Sequence, residues 1–418
     1  MTTVRPPTVP SRFRRLAATH AAMAAGDAAM VVALADSVLF NLDPDAARSR
    51  VLLFLGISMV PFLFVAPLIG PAIDRMKGGR RLVVALVALG RVVLALAMAS
   101  RVDSLLLFPL AFAAMVLQKT YAISKSALVP SVVTSDTELV EANSKLGLIS
   151  GLVGAVAVLP AVLLQKAIGP GATLTYSAVL FVLALVAALR LPSEAVAVQP
   201  ADRLEHEELH ADSVVLAAAA MLFVRAAVGF TFFHLFFWFR RQDAGLVWFG
   251  VSVAVASLMT MAANALGPTI RRRLREETML VASLVLVAAV GLLAALFGGL
   301  LAAIALAGAV NFAAATGRLA FEAIVQRDAP DANRGRAFAQ FETRFQLAWV
   351  AAGVVPVLFT MPGRYGFAFV AVTALAALLL YASGNRAARG RTRRRSGSGR
   401  ASRSTRRPTP PPALRSAR

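Results

Sequence analysis

The sequence predicts an all-α membrane protein of twelve transmembrane helices, arranged as two pseudo-symmetric six-helix bundles. Three observations lead there. The first is composition: 58% of the 418 residues are hydrophobic, only 16% are charged, and the mean hydropathy is +0.71. The second is length, because several apolar runs approach the ~20 residues that a helix rising 1.5 Å per residue needs to cross a bilayer. The third is that the one long polar connection inside the apolar region divides the runs six and six. Hydrocarbon holds no water, so each span must satisfy its own backbone hydrogen bonds, and long runs without strict alternation do so as helices.

Taken in order, residues 1–16 form a cytoplasmic segment carrying Arg5, Arg12, Arg14 and Arg15. The apolar stretch after it is too long for a signal-peptide core and lacks a clear cleavage site, so it is read as a retained first span. Spans are expected near 17–41, 51–73, 82–101, 104–126, 141–165 and 171–190, within an N-terminal bundle over 17–191. A central cytoplasmic loop over 192–212 leads to spans near 213–238, 244–269, 279–298, 300–325, 337–360 and 365–384, the C-terminal bundle over 213–384.

Residues 385–418 hold twelve arginines and no acid, about half of the net charge of +21. Rich in Ser, Gly and Pro, this tail has too little apolar surface to fold and is expected to be disordered. Its charge points to anionic lipid rather than nucleic acid. Basic loops alternate with nearly neutral ones, and the positive-inside rule puts both termini in the cytoplasm. The Arg-, Ala- and Val-rich composition fits a bacterial inner membrane. The absence of cysteine removes disulfides and thiolate metal sites. A monomer without cofactor or bound metal is expected.

After the second span the chain reads GPAIDRMKGGRR, with five charges between Asp74 and Arg81. Setting Leu68 to Leu89 over Ala265 to Leu286 aligns Gly70 with Gly267, Pro71 with Pro268, Ile73 with Ile270 and Arg75 with Arg272. A six-helix unit has been duplicated. Two such units related by an axis along the membrane normal, with a central cytoplasmic loop, resemble the major facilitator superfamily. GPAIDRMKGGRR itself resembles that superfamily's loop 2–3 signature, Gly-x-x-x-Asp-Arg-x-Gly-Arg-Arg, with one extra residue. SALVPSVVTSDTELVEANSKL after span four and DAPDANRGRAFA before span eleven are similar to the enterobactin-exporter and macrolide-efflux branch.

The resemblance implies that Asp74 lies near the N-terminus of span eleven. A helix N-terminus carries about half a positive charge and stabilises a nearby carboxylate by about 0.3–2 kcal/mol. Gly70, Asp74, Arg75, Gly78, Gly79, Arg80 and Arg81 are therefore read as a conformational latch, made in one state and broken in the other. Gly70 permits close helix approach, Gly78 and Gly79 allow the reversal, and the arginines surround Asp74.

A charge at the bilayer centre costs at least about 2.5–3.5 kcal/mol, so each one inside a span needs a reason. Asp27, Lys119, Arg225, Asn311, Arg318 and Glu322 are the candidate proton or substrate residues. In the superfamily, spans one, four, seven and ten line the cavity, which leaves Arg91 in span three as an exception. Asp27, Lys119 and Arg225 lie at similar depth and are expected to meet across one cavity. Asn311, Ala315, Arg318 and Glu322 follow i, i+4, i+7, i+11 spacing and share one face. Asp36 and His234 are out of phase with these residues and read as structural.

His206, Glu207 and His210 satisfy H-E-x-x-H, but in a polar loop with no room for a cleft, which argues against a zinc protease. No phosphate-binding Gly-rich loop with a following Lys-Ser or Lys-Thr occurs, so energy must come from a gradient. The expected function is a proton-coupled exporter, or antiporter, of small amphipathic compounds such as drugs, secondary metabolites or siderophores, with drug resistance as one outcome. It is not expected to be an enzyme. A non-transporting membrane scaffold is the main alternative, and the loop protease a remote one.

Overall fold

A computed structural model of the chain describes residues 12–35, 79–102, 104, 106–133, 138–191, 212–243, 245–328, 334–359 and 361–404. These residues form eleven helices: α1 (Arg12–Ala35), α2 (Gly79–Ala99), α3 (Leu107–Val132), α4 (Leu139–Ala167), α5 (Pro170–Ala188), α6 (Asp212–Phe239), α7 (Gly245–Arg273), α8 (Glu276–Phe297), α9 (Gly299–Asp328), α10 (Arg334–Leu358) and α11 (Gly363–Ser404). Nine of them are long and apolar enough to cross a membrane. The other two, α3 and α10, carry Lys119 and Lys125, and Glu342 and Arg344, and pack on one another. Helices match eleven of the expected spans; the second, 51–73, lies outside the described residues.

Helix α11 departs from expectation. Its apolar part ends at Gly384, yet the helix continues to Ser404 through sequence expected to lack structure. Nucleation is the costly step in helix formation and α11 is already nucleated in the bundle, so the Arg- and Ala-containing stretch after it only has to propagate.

The helix ends sort into two sets. The start of α1, the end of α5, the α7–α8 junction and the end of α9 gather Arg12, Arg14, Arg15, Arg190, Arg271 to Arg273 and Arg327, and Arg15 donates to the Arg190 carbonyl at 3.3 Å. This is the basic end of the bundle. Here Glu276, nearly fully buried, takes Arg271 at 2.6 Å and Arg327 at 3.5 Å, tying α7, α8 and α9 together.

Helices α1 to α5 pack mainly among themselves, as do α6 to α11, and the two groups meet where α3 and α4 touch α7, α9 and α10. Side chains such as Leu152, Val156, Leu159 and Leu163 on α4 are exposed on the outside, as a bilayer requires. In lipid, helices associate through close packing at small residues rather than through hydrophobic burial. A Cβ on Gly147 would meet the Asn264 side chain at 2.5 Å, and one on Gly267 would meet Leu319 at 2.6 Å. Gly229 lies directly against the backbone of Trp349 and lets α6 and α10 touch.

Near the basic end the two groups are joined by neutral hydrogen bonds. Asn143 on α4 donates to the Gln326 side chain at 2.8 Å, Gln326 on α9 donates to the Ser126 carbonyl of α3 at 3.0 Å, and the Ser144 hydroxyl donates to the Asn264 carbonyl.

Gly229→Val puts a branched side chain against a helix backbone that cannot move aside. It should destabilise the protein by about 1–3 kcal/mol, the usual cost of overpacking, seen as a lower Tm in detergent and reduced yield. Gly250→Ala is the control, because a Cβ there meets nothing within 4 Å and Tm should not move.

Candidate functional site

The interior charges form two groups rather than one. In the first, Asp27 of α1 pairs with Arg91 of α2. Arg91 is only 2% exposed, and its guanidinium stacks over the Phe181 ring of α5 at 4.5 Å and donates to the Ala114 carbonyl at 3.3 Å. Gly26 makes room for that ring, since a Cβ on it would lie 2.6 Å from Phe181, and Ser177 donates to the Gly26 carbonyl at 2.8 Å. The Gln118 side chain stands beside the Asp27 carboxylate. Nearby, His20 and Tyr121 join α1 to α3 through a 3.0 Å hydrogen bond.

The second group spans the interface between the two sets of helices. Glu342 on α10 takes Lys119 of α3 at 3.5 Å on one oxygen and Arg318 of α9 at 3.8 Å on the other. Arg318 also pairs with Glu322, one turn along its own helix, at 2.8 Å. Lys125 of α3 stands within electrostatic reach of both carboxylates, and Arg225 of α6 within reach of Glu342. At 1.5 Å per residue these charges lie between about 9 and 20 Å from the basic end of their helices.

Water reaches this layer. The side chains of Arg318 and Lys119 are 39% and 28% exposed, although both point at partners inside the bundle. The neutral hydrogen bonds of Asn143, Gln326 and Ser144 join the two groups of helices between this layer and the basic end. A part-exposed charged layer at the seam is a site that can bind a solute.

Several expectations meet this geometry directly. Arg318 and Glu322 share a face and pair, as their spacing requires. Asp27 pairs with Arg91, set aside as an exception, within the first group, and stands within electrostatic reach of Lys119 with no ion pair to it or to Arg225 among the described residues. A carboxylate and a guanidinium on adjacent helices pair at short range before either reaches across a wetted space. Asn311 hydrogen-bonds the Ala307 carbonyl of its own helix at 2.9 Å instead of joining the charges. His234 is buried between α6 and α11, stacked on Phe230 at 5.5 Å.

Glu342 and Lys125 were not among the expected site residues. Their signal was available, since each is a charge within a span, with Lys125 near its basic end. Gly70, Asp74, Arg75 and Gly78 lie outside the described residues, as do Asp36, His206, Glu207 and His210. Gly79, Arg80 and Arg81 open α2. Among the described residues no three of His, Cys, Asp and Glu come together as metal ligands do.

A family model described as Major Facilitator Superfamily matches residues 16–353. An uncharacterized protein of Mycobacterium leprae (strain TN) is 27% identical over 394 residues, covering 85% of this chain and 67% of the relative. An uncharacterized protein of Mycobacterium tuberculosis (strain ATCC 25618 / H37Rv) is 40% identical over 143 residues, which is 31% of this chain and 26% of the relative. Among solved structures, a bacterial homologue of the iron transporter ferroportin in its outward-facing state with soaked iron superposes with a TM-score of 0.68 at 17% identity, covering 89% of this chain and 98% of its own. The human organic anion transporter MFSD10 gives 0.66 at 16% identity, covering 90% and 100%. FucP in the outward conformation gives 0.65 at 12% identity, covering 89% and 98%. At these identities the likeness is one of fold.

Arg91→Met leaves the Asp27 carboxylate buried without its counter-charge. Breaking such a pair costs about 3–5 kcal/mol, whereas removing both charges is nearly neutral. Thermal unfolding in detergent should show a large fall in Tm for Arg91→Met and recovery of most of it in the Asp27→Asn, Arg91→Met double variant.

Proposed function

The chain belongs to the major facilitator superfamily, whose members are membrane transporters and not enzymes, and on that premise we propose that it is a proton-coupled secondary transporter exporting small amphipathic compounds by alternating access. The observation that carries this reading is the part-exposed charged layer at the seam, with neutral hydrogen bonds joining the two groups of helices between it and the basic end, which we read as open to water from the opposite end. By the positive-inside rule the basic end is cytoplasmic, which makes the described state outward-facing. The twelve-span arrangement in two halves, with both termini inside a bacterial inner membrane, belongs to the same reading, as does the resemblance to the enterobactin-exporter and macrolide-efflux branch.

Alternating access requires the two groups of helices to separate at the cytoplasmic side, and Glu342 bonds across that seam. Protonating it would weaken its pairs with Lys119 and Arg318, whereas Asp27 and Glu322 pair within their own group. Glu342 is therefore the better-placed coupling carboxylate, with Asp27 and Glu322 as the comparison. In this reading Asp74, as the resemblance of its loop implies, supplies the latch that holds the same side shut. Cargo that bound the wetted layer would shift the balance by its differential affinity for the two states.

Because the chain has no cysteine, Ala122→Cys reports one position without background labelling. Ala122 lies between Lys119 and Lys125 and is half-buried. Hydrophilic maleimide added from the cytoplasmic side should label it faster as pH falls, relative to an Arg273→Cys control at the exposed basic end that follows the reagent's own pH dependence. Glu342→Gln should label fast at every pH, and Glu322→Gln and Asp27→Asn should keep the parent's slope. A flat parent profile would remove Glu342 from the coupling role.

Asp74→Asn should favour the cytoplasm-open state. A latch worth about 1.4 kcal/mol would change the population ratio about tenfold. Labelling of Ala122→Cys should rise accordingly with expression unchanged. Equal labelling in both backgrounds would make GPAIDRMKGGRR a topological anchor only.

A further inference from the structure

Along α6, Arg225, Gly229, Phe232 and Phe236 follow i, i+4, i+7, i+11 spacing and so occupy one face. Its direction is set by contacts. Gly229 lies against the Trp349 backbone of α10, while Phe232 and Phe236 meet Phe249 of α7 at 5.4 and 5.2 Å between ring centroids. The face therefore looks between α7 and α10. The other aromatic face of α6, made by Phe230, His234 and Trp238, is already filled by Phe367 and Phe369 of α11. At 1.5 Å per residue, Phe232 and Phe236 stand about 10 and 16 Å beyond Arg225, toward the open end. Phe232 is 42% exposed, beside Trp349 at 6.4 Å.

At the inner end of this stripe the charges do not balance. Lys119, Lys125, Arg225 and Arg318 surround two carboxylates, Glu322 and Glu342. Arg318 holds Glu322 and shares Glu342 with Lys119. Arg225 lies within ion-pairing distance of no described carboxylate, and it stands in the field of Glu342, Arg318 and Lys119. Among the described residues the layer thus carries a positive excess at bilayer depth, where unbalanced charge is expensive. A guanidinium presents a rigid fork of donors that matches an oxyanion.

The geometry points to an organic anion as cargo, its oxyanion head at Arg225 within the field of Lys119, Lys125 and Arg318, and its aromatic or apolar body along Phe232, Phe236 and Trp349. This deepens the transporter reading and rests on it. A cation would be repelled by the layer, and a neutral amphipath would leave the excess in place. Carboxylate, sulfonate and phosphate heads share the chemistry that Arg225 recognises.

The test is equilibrium dialysis of the full chain in nanodiscs against four probes of one shape: 2-naphthoate, 2-naphthalenesulfonate, 2-naphthamide and 2-naphthylmethylammonium. The two anions should bind at least tenfold more tightly than the amide and the ammonium. Arg225→Gln should weaken anion binding at least tenfold, Arg225→Lys should stay within about threefold of the parent, and Phe232→Ala should weaken naphthoate several-fold. Among the described residues Arg225 has no ion pair to orphan, so the Gln variant should remain monodisperse; should it not, the Lys variant and the probe ranking still decide. Equal binding of the amide or ammonium, or unchanged anion binding in Arg225→Gln, would overturn the proposal. Displacement of naphthoate by equimolar inorganic phosphate would remove its aromatic half. Binding is read at equilibrium without a gradient, so its failure is separate from a failure of Ala122→Cys to report alternation.

Discussion

A charge at bilayer depth must have a counter-charge or water, and the interior of this protein is arranged around that requirement. Asp27 and Arg91 meet it by pairing with one another, Arg91 being buried against Phe181, Met30 and the Ala114 carbonyl. Lys119, Lys125, Arg225, Arg318, Glu322 and Glu342 meet it by sharing carboxylates in a layer that water reaches. That pair lies within α1 and α2, on one side of the seam. The wet layer straddles the seam between the two groups of helices. Any separation of those groups on the basic side must disturb it.

Helix existence and length were legible because hydropathy and span length answer to the same bilayer, so the eleven described helices fall where apolar runs lie. Pairing was not. Phase within one helix follows from sequence, which is why Arg318 and Glu322 were correctly set on one face. Which residue of a neighbouring helix faces them depends on how each helix is rotated about its axis and on where small residues allow contact. Gly26, by admitting Phe181, helps position Arg91 beside Asp27, and nothing in the local pattern around Asp27 announces it. The end of α11 was misjudged for a different reason, since composition measures whether a segment can nucleate structure alone and not whether it can extend a helix already formed.

The aromatic residues of α6 show how one composition serves two ends. Phe230, His234 and Trp238 are consumed in packing against α11, and Phe232 and Phe236 remain partly open toward α7 and α10. The two sets alternate along the helix and cannot be separated by composition. They separate once Gly229 fixes which side of α6 lies on α10.

The seam combines two kinds of contact at different depths, and their order along the membrane normal is what makes it switchable. Nearest the basic end are neutral hydrogen bonds, Asn143 to Gln326, Gln326 to Ser126 and Ser144 to Asn264, each with a net worth of about 0.5–1.5 kcal/mol because water replaces either partner when the seam opens. Deeper in lies the Lys119–Glu342 pair, whose strength depends on its surroundings: on the proton content of the carboxylate, on Arg225 and Lys125 beside it, and on any charged solute in the layer. Were the order reversed, the charged pair would sit at the surface, where water and salt screen it to almost nothing. The weak contacts thus lie outermost, and the one that responds to a proton or a charged solute lies within, where screening leaves it its strength.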